Sequence, residues 1–432
     1  MSRTLPIAGL LACASIVLAQ EPPPLALTLT LEDAMQRARA NSQQLLSADI
    51  TARLAHEDKV QAKAALLPSL NWENGYVYTQ PNGTDTGVFV VNNGVHVYTN
   101  QLALHADVFS PGKRADYQMA IAGEAIARAR LDIAQRGLMA TVVQNYYAMV
   151  SAQRHMVNAQ RGMEEAGRFL DITRKQEVGG EAARADVVKA QIEVNNRQRD
   201  LREAQLAIDK ARIGFAVFLF LDFRQDFGVV DDLDQLAVLP AFSELEGRAQ
   251  KDNPDLRAAQ AFVTQNNFGI KSARAGLLPT LTLDYFYGLQ ANQYAIHNPA
   301  GNSLLGSSVV ATATVPVWNW GAARSKIKQA ELRQQQARVD LSLTQRQLQA
   351  NLNEFYLEAA TANTQMTLLK QTLDLAEESL RLTILRYEAG EATVLEVVDA
   401  QRTALDARNA WDDGKARYRV ALSALQTLTG AF

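Results

Sequence analysis

The stretch Ala65-Leu66-Leu67-Pro68-Ser69-Leu70 recurs as Gly276-Leu277-Leu278-Pro279-Thr280-Leu281, about 210 residues further along the chain. A second pair has nearly the same spacing, Gly180-Glu181-Ala182 and Gly390-Glu391-Ala392. Solenoid repeats have periods of about 20 to 50 residues, so a spacing of about 210 excludes those architectures. We therefore predict a duplicated fold, with a first structural repeat over residues 20–238 and a second over residues 239–432.

The hydrophobic period changes at the proline of each copy. Before it, each repeat predicts an amphipathic helix that passes Asn41 or Asn253 and ends just before Pro68 or Pro279, because proline disfavours helix in the preceding residue. Two stretches predict capping boxes at the starts of these helices: Thr30-Leu31-Glu32-Asp33 and Ser243-Glu244-Leu245-Glu246. After the proline, apolar residues alternate, which is typical of a strand.

Each proline is thus followed by a predicted β-hairpin. The outgoing strands carry one face of apolar and aromatic residues, namely Leu70, Trp72, Tyr76 and Tyr78, and Leu281, Leu283, Tyr285 and Tyr287. Loops rich in Gly, Asn and Pro follow near residues 80–94 and 290–306. The returning strands carry a second alternating set, namely Leu102, Leu104, Ala106 and Val108, and Val309, Ala311, Ala313, Val315 and Val317.

Very long helices are predicted after the hairpins. Residues 112–177 and 321–388 contain no proline and are rich in Ala, Gln, Arg, Leu and Glu. At about 1.5 Å per residue, each helix would reach on the order of 100 Å, which is deeper than a globular core. Apolar residues recur at spacings of three and four, which favours side-by-side coiled-coil packing. A glycine turn then predicts reversal into a second long helix, from Ala185 to about Phe215 and from Leu395 to about Leu428.

The first residues predict export. One positive charge at Arg3 precedes an apolar run that ends at Ala19, which is the layout of a signal peptide over residues 1–19, cleaved after Ala19. An alternative is lipoprotein processing at Leu10-Leu11-Ala12-Cys13, which would leave a lipid on Cys13. Because Cys13 is the only cysteine, no disulfide within the chain and no cysteine metal site are expected.

Composition excludes several classes of protein. The 432 residues include 43 basic and 46 acidic side chains, a formal net charge of −3, which gives no footprint for nucleic acid. After Ala19 no apolar run of about 18 residues could form a transmembrane helix. The five histidines are scattered without metal-ligand spacing, and neither a phosphate-binding loop nor a nucleophile elbow is present. We expect no enzyme activity, no metal and no cofactor.

The strands suit a transmembrane β-barrel that one chain cannot close. About ten alternating residues flanked by aromatics fit such a barrel, although a soluble hairpin with one buried face has the same pattern. Single-chain barrels need at least about eight strands, and each chain supplies four. An open sheet edge in lipid would leave backbone groups unpaired, so other copies must complete the barrel. Two or three copies would suffice on physical grounds.

This order of elements, found twice, resembles the outer-membrane efflux proteins of Gram-negative bacteria, the TolC-like channel family. The resemblance covers essentially the whole chain after the leader and includes the tip segments 180–191 and 387–401. It implies a mainly α fold whose long helical hairpins form an α-barrel, with four strands per chain in a shared β-barrel. It also implies a homotrimer in outer-membrane lipid with a periplasmic extension, partnered by a periplasmic adaptor (membrane fusion) protein and an inner-membrane pump. Substrates would pass passively.

The family pattern points to functional residues at the helical tips. The resemblance assigns a periplasmic gate to Asp186, Tyr387, Glu396 and Asp399. It assigns adaptor contacts to Gly180, Glu181, Val187, Gly390, Glu391 and Val397. The family's basic gate position falls on Ala392, which puts its gate lock in doubt, and Arg184 is a substitute.

Two alternatives stay open on the sequence. Glu396 and Asp399 are also explained as solvated residues in the first turn of a helix, where negative charge suits the helix dipole. A periplasmic coiled-coil adaptor or structural protein is the alternative function, although adaptors usually have a single helical hairpin.

Overall fold

The computed structural model describes residues 27–83, 94–235 and 237–430. The predicted leader and Cys13 lie outside the described residues, as does most of the first hairpin loop. Within these ranges the strands are β1 (Leu27–Leu29), β2 (Ser69–Tyr78), β3 (His96–Phe109), β4 (Phe227–Val229), β5 (Thr280–Ala291) and β6 (Leu305–Thr314). The helices are α1 (Leu31–Asn41), α2 (Gln43–Ala64), α3 (Pro111–Gly179), α4 (Arg184–Leu219), α5 (Phe242–Asp252), α6 (Pro254–Ala275), α7 (Ala322–Glu388) and α8 (Val394–Thr429).

The same order of elements occurs in both halves. A helix pair leads into a β-hairpin, then into a helix of 69 or 67 residues, and finally into a returning helix of 36 residues. At about 1.5 Å per residue, α3 and α7 are each about 100 Å long. The predicted combination of long helical hairpins with four long strands is confirmed.

Both hairpins join into one antiparallel sheet of order β2-β3-β5-β6. Ser69 pairs with His105 in the first hairpin, and His105 pairs with Asp284 across the junction of the two repeats. Asp284 in turn pairs with Val310 in the second hairpin. Among the residues that the structure describes, β2 and β6 are the two unpaired edges of the sheet.

The long helices pack side by side in a layer, named the helical wall, that consists of α2, α3, α4, α6, α7 and α8. Near the sheet α3 lies between α2 and α6, and further along it lies between α4 and α8. The largest buried cluster lies halfway along this wall, where α1 and the short β1-β4 pair cover α3 and α4. There the Tyr146 hydroxyl donates a hydrogen bond of 2.6 Å to the Val230 carbonyl.

The helix starts differ in part from expectation. Thr30 and Asp33 form the predicted capping box, but Ser243 and Glu246 do not, because α5 begins two residues earlier than expected, with Ala241 as an N-cap that makes no side-chain bond. The predicted continuation through Asn41 is also wrong, since Ser42 is extended and caps a new helix. Asn253 does the same between α5 and α6.

Two strand predictions also need correction. The parallel pair β1-β4 was not predicted, because three-residue strands are too short for an alternating pattern. The returning strand was expected to reach Val317, but β6 ends at Thr314. Among the described residues, no helix is both long and apolar enough to cross a membrane.

Candidate functional site

Both helical reversals lie together at the end of the protomer opposite the sheet. Gly180 and Gly390 adopt left-handed backbones, with φ of 79° and 76°, which side chains with a Cβ rarely adopt. One apolar cluster, named the tip cluster, joins the two reversals and consists of Phe169, Leu170, Val187, Ala190, Tyr387, Val394 and Val397. The duplication therefore places both tips of one chain at a single site.

The tip cluster narrows the predicted adaptor surface. Val187 and Val397 are buried inside it, where they pack the two tips against each other, so their side chains offer no surface to a partner. Gly180 and Glu181 in the first tip are exposed, and so are Gly390 and Glu391 in the second. The prediction of adaptor contacts is therefore restricted to these four residues.

Each predicted gate carboxylate has a cationic neighbour in its own chain. Three pairs occur: Asp186 with Lys189 at 3.2 Å, Asp399 with Arg402 at 2.6 Å, and Glu396 with Arg386 at 3.5 Å. Glu396 also completes a capping box, because its Oε1 accepts hydrogen bonds from the Thr393 N–H and hydroxyl. A cation this close offsets part of the repulsion between neighbouring carboxylates. Exposed pairs of this kind contribute only about 0–1 kcal/mol to folding, so they leave the carboxylates available.

Tyr387 is buried and ties the second tip to the first. Its hydroxyl donates to Thr173 Oγ1 at 3.3 Å, and its ring lies 4.9 Å from the Phe169 ring in an edge-on arrangement. The Gln176 side-chain amide donates to the Tyr387 carbonyl at 3.5 Å. All of these contacts cross between α3 and α7 of one protomer.

The basic residue beside the second tip, Arg386, was not predicted from the sequence. Arg386 donates to the Glu391 carbonyl at 3.0 Å and lies beside Glu396. The proposed substitute Arg184 instead lies 3.4 Å from Glu177 of its own tip. Ala392, at the family's basic position, packs against the tip cluster. Arg386 directly precedes Tyr387 in the sequence, but only the glycine turn brings its guanidinium back over residue 391.

The opposite end of the protomer has an apolar sheet face. Strand register places Leu70, Leu104, Tyr285 and Val309 in one row, and Trp72, Leu102, Tyr287 and Ser307 in the next row of that face. On β5 the face runs from Leu281 to Leu289, which is about 27 Å along the strand. At a strand tilt near 40° this gives a band about 20 Å tall, close to the apolar band of outer-membrane barrels.

The other face of the sheet carries ionisable groups. His105 Nδ1 lies 2.6 Å from Asp284 Oδ1, and Asp107 is paired with Lys113 at the start of α3. Glu73 accepts a hydrogen bond of 2.9 Å from the Gln101 side chain. His105 therefore lies on this polar face.

The hairpin segments contain no cationic Lys or Arg. Residues 69–109 and 280–314 have none of the chain's 43 Lys and Arg residues, yet they include four carboxylates: Glu73, Asp85, Asp107 and Asp284. Of these, Glu73, Asp107 and Asp284 lie on the polar face. A conduit bounded by that face would therefore favour cations over anions.

Ion pairs link the helices of the wall between its two ends. Arg408 of α8 is buried and bonds Glu165 of α3 at 3.1 Å and Glu377 of α7 at 2.9 Å. A cleft of about 650 Å³ lies beside it between α3 and α7. Arg154 of α3 contacts Asp231, Asp234 and Asp412, which fixes the segment after β4 onto the wall. In the part of the chain that the structure describes, no group of three or more His, Cys, Asp or Glu is arranged to hold a metal ion.

Comparison with known proteins identifies the family. Residues 34–217 and 245–431 match the family described as outer membrane efflux protein. The chain is 25% identical over 405 residues to the outer membrane protein TolC of Vibrio cholerae, covering 92% of this chain and 89% of that one. It is also 25% identical over 395 residues to the pyoverdine export outer membrane protein OpmQ of Pseudomonas aeruginosa, covering 88% and 80% respectively.

Solved structures share the whole fold. The crystal structure of the outer membrane protein VceC of Vibrio cholerae superposes with a TM-score of 0.80 at 18% identity, over 93% of this chain and 96% of that one. Such channels combine a helical barrel with a β-barrel, which is the arrangement of the wall and sheet described above. The chain therefore belongs to the outer membrane efflux protein family, and it is an efflux channel of the outer membrane whose helical part extends into the periplasm.

Proposed function

We propose that three copies of this chain form one continuous conduit, which passes substrates from a periplasmic adaptor and an inner-membrane pump to the outside. Three sheets of four strands would supply a twelve-stranded barrel. The three helical walls would continue it as a tunnel through the periplasm. The proposal includes no catalytic step, cofactor or metal, and it divides the chain into a leader (1–19) and two structural repeats (20–238 and 239–432).

The single observation that carries this proposal is the combination of an apolar sheet face with two unpaired sheet edges. Trp72 and Leu70 are largely exposed on that face, which is stable only against lipid or another apolar surface. In lipid, however, an unpaired edge costs several kcal/mol for each unsatisfied backbone group. Pairing β6 of one copy with β2 of the next removes every edge at once.

The helical tips are the proposed docking and gating end. Gly180, Glu181, Gly390 and Glu391 are exposed there and would meet the adaptor. Because both tips of one chain share the tip cluster, a trimer would present six reversals around one entrance. The family and fold favour this channel over the periplasmic adaptor alternative.

We propose that the gate combines the buried hydrogen bond between Tyr387 and Thr173 with exposed carboxylates. Tyr387 holds the two tips of each protomer together through Thr173. Asp186, Glu396 and Asp399 would stand at the entrance, each beside its cationic neighbour. Opening would then require the second hairpin to move relative to the first.

Extraction of the full chain from outer-membrane fractions tests the proposal. We expect a detergent-stable species of three chains that inserts into planar bilayers and conducts ions. The matched variant replaces outward-facing Trp72 with Lys, which should reduce membrane insertion because a cation in the lipid-facing band costs about 2–4 kcal/mol. A monomer recovered in the soluble periplasmic fraction would refute the channel and favour the adaptor alternative.

A further inference from the structure

The two hairpins of the chain superimpose in strand register. Ser69 pairs with His105 in the first, and Thr280 pairs with Thr314 in the second. The outgoing strands are therefore related by an offset of 211 residues (280 − 69) and the returning strands by 209 (314 − 105). These two offsets convert each pairing between β3 and β5 into the equivalent pairing between β6 of one copy and β2 of the neighbouring copy.

The junction between β3 and β5 supplies the template. Here the returning strand of one repeat pairs with the outgoing strand of the next, as β6 must pair with β2 of a neighbouring copy. Ala103 pairs with Phe286, which the offsets convert to Thr312 with Gly75 of the neighbouring copy. Leu102 pairs with Tyr287, which they convert to Ala311 with Tyr76 of the neighbouring copy.

The register obtained in this way for β6 and β2, named the transferred register, keeps apolar side chains on the apolar face of the sheet and polar side chains on the other face. Ala311 lies on the apolar face, because it pairs with Leu283, and Tyr76 lies on the same face as Trp72. A slip of one residue would place Tyr76 against Thr312 and move a whole strand to the wrong face. The β3–β5 junction and the alternation of apolar and polar faces thus indicate the same register between β6 and β2.

The template also explains why β6 is short. The last four residues of β3 extend beyond β2 and are held by β5 alone, from Ala106 with Leu283 to Phe109 with Leu281. Their equivalents are residues 315–318, which lack a neighbour in one chain and lie outside β6. Val317 and Trp318 are accordingly 88% and 76% exposed. Pro316 has no N–H, and its equivalent in β3 is Asp107, next to the register shift between Asp107 and Phe109; such bulges tolerate proline.

We propose that neighbouring copies join in this transferred register, with Thr312 opposite Gly75 of the next copy, and that residues 315–318 complete strand β6 only on assembly. The inference rests on the proposed homotrimer and adds its interface, residue by residue. The partner of each open edge is a second copy of this chain. The reason is that β6 of one copy and β2 of the next place their apolar residues on the same face, as β3 and β5 do within one chain.

Disulfide cross-linking in the full-length protein tests the register. Pairs opposite each other in an antiparallel ladder have Cα atoms about 4.5–5.5 Å apart, within disulfide range. A slip of two residues moves the partner by about 6.7 Å along the strand, out of range. The parent chain, whose single cysteine is Cys13, gives the background.

The in-register variants are Thr312→Cys with Gly75→Cys on the polar face and Ala311→Cys with Tyr76→Cys on the apolar face. Gly75 has room for a side chain, since an added Cβ would lie 3.8 Å from Thr99 Cβ. The slipped controls combine Thr312→Cys with Val77→Cys or with Glu73→Cys. We expect covalent dimers and trimers on a denaturing gel without reductant for at least one in-register pair, and about background levels for both slipped pairs.

A further pair, Val315→Cys with Trp72→Cys, tests the completion of β6, and it should cross-link if residues 315–318 join the ladder. Failure of this pair alone overturns the completion of the strand. Cross-linking of a slipped pair in a species of three chains overturns the register and leaves the trimer intact. Absence of both cross-links and a three-chain species refutes the proposed trimer itself.

Discussion

The Tyr387 hydroxyl bonds Thr173 Oγ1 at 3.3 Å in the buried interior of the tip, across 214 residues of sequence. The Thr173 hydroxyl in turn donates a hydrogen bond of 2.9 Å to the Phe169 carbonyl, so the chain of hydrogen bonds ends on the backbone of α3. The second helical hairpin is thereby anchored to the first at the point furthest from the membrane. Any opening of the entrance that separates the hairpins must break this contact.

Replacing Tyr387 with Phe should loosen the tip without unfolding the protomer. The substitution keeps the ring against Phe169 and removes one hydrogen bond worth about 0.5–1.5 kcal/mol. We expect amide hydrogen exchange in residues 384–400 to accelerate by up to about tenfold. Tyr356→Phe is the matched control, because it also removes one hydroxyl but lies far from the tip cluster. Equal acceleration at the tip in both variants would contradict the anchoring role.

Arg408→Met should destabilise the helical wall strongly. The buried guanidinium bonds Glu165 and Glu377, so its loss leaves the nearly buried Glu165 with only the more exposed Arg161, at 3.1 Å, as a cationic partner. Breaking one side of a buried ion pair costs about 3–5 kcal/mol. Arg402→Met removes an exposed partner of Asp399 and should cost about 0–1 kcal/mol. Thermal unfolding followed by circular dichroism compares the two, and similar midpoints would refute the difference.

The stability of the wall near the membrane should fall in acid through Glu124. Hydrogen bonds from Lys59 and His56 lower the pKa of Glu124 from 4.5 to about 2. Because the pKa is lower in the folded state, the ionised carboxylate stabilises the fold at neutral pH, and this contribution is lost as the pH falls from about 4.5 towards about 2. Thermal midpoints measured across this range should decline more steeply for the parent chain than for Glu124→Gln. Parallel curves would exclude Glu124 as a source of the acid sensitivity.

The polar sheet face should make the barrel prefer cations. Replacing Glu73 with Gln and Asp284 with Asn keeps side-chain size and removes two of the three carboxylates on that face. The reversal potential in a KCl gradient across a planar bilayer should move towards zero. Asn71→Asp adds a carboxylate to the same face, because Asn71 pairs with Ala103, and should move the potential the opposite way. No change in either variant would show that this face does not line the conduit.

The entrance carboxylates should govern block by cations. Replacing Glu396 and Asp399 with Ala should weaken block of conductance by multivalent cations in planar bilayers. Arg402→Ala should strengthen it, because Asp399 then loses the cation 2.6 Å away. Unchanged block in both variants would show that these residues do not stand at the constriction.

Much of the fold follows from local patterns. Pro68 and Pro279 mark the change from helix to strand, since the residue before proline avoids helical geometry. Gly180 and Gly390 mark the reversals, since both need a left-handed backbone. These signals act within a few residues, which is why the element order was predictable. Ser243 shows the limit of such local signals: it lies two residues after the observed N-cap Ala241, and the helix start follows the packing of Phe242 and Leu245 instead.

The candidate site was less predictable, because it depends on partners far apart in sequence. Glu396 and Asp399 look like bare carboxylates in the sequence, whereas Arg386 reaches Glu396 across the turn. Val187 and Val397 look like exposed tip residues until the two hairpins are packed against each other.

Periodicity, prolines and glycines in the sequence thus established the duplicated hairpins and the need for further copies. Those features are local, since they depend on backbone preferences and on how apolar residues repeat. Tertiary structure alone established which faces meet, how Tyr387 anchors the tips and which register joins β3 to β5. Contacts between residues separated by about 200 positions depend on packing and charge in three dimensions. Local sequence patterns therefore do not predict them.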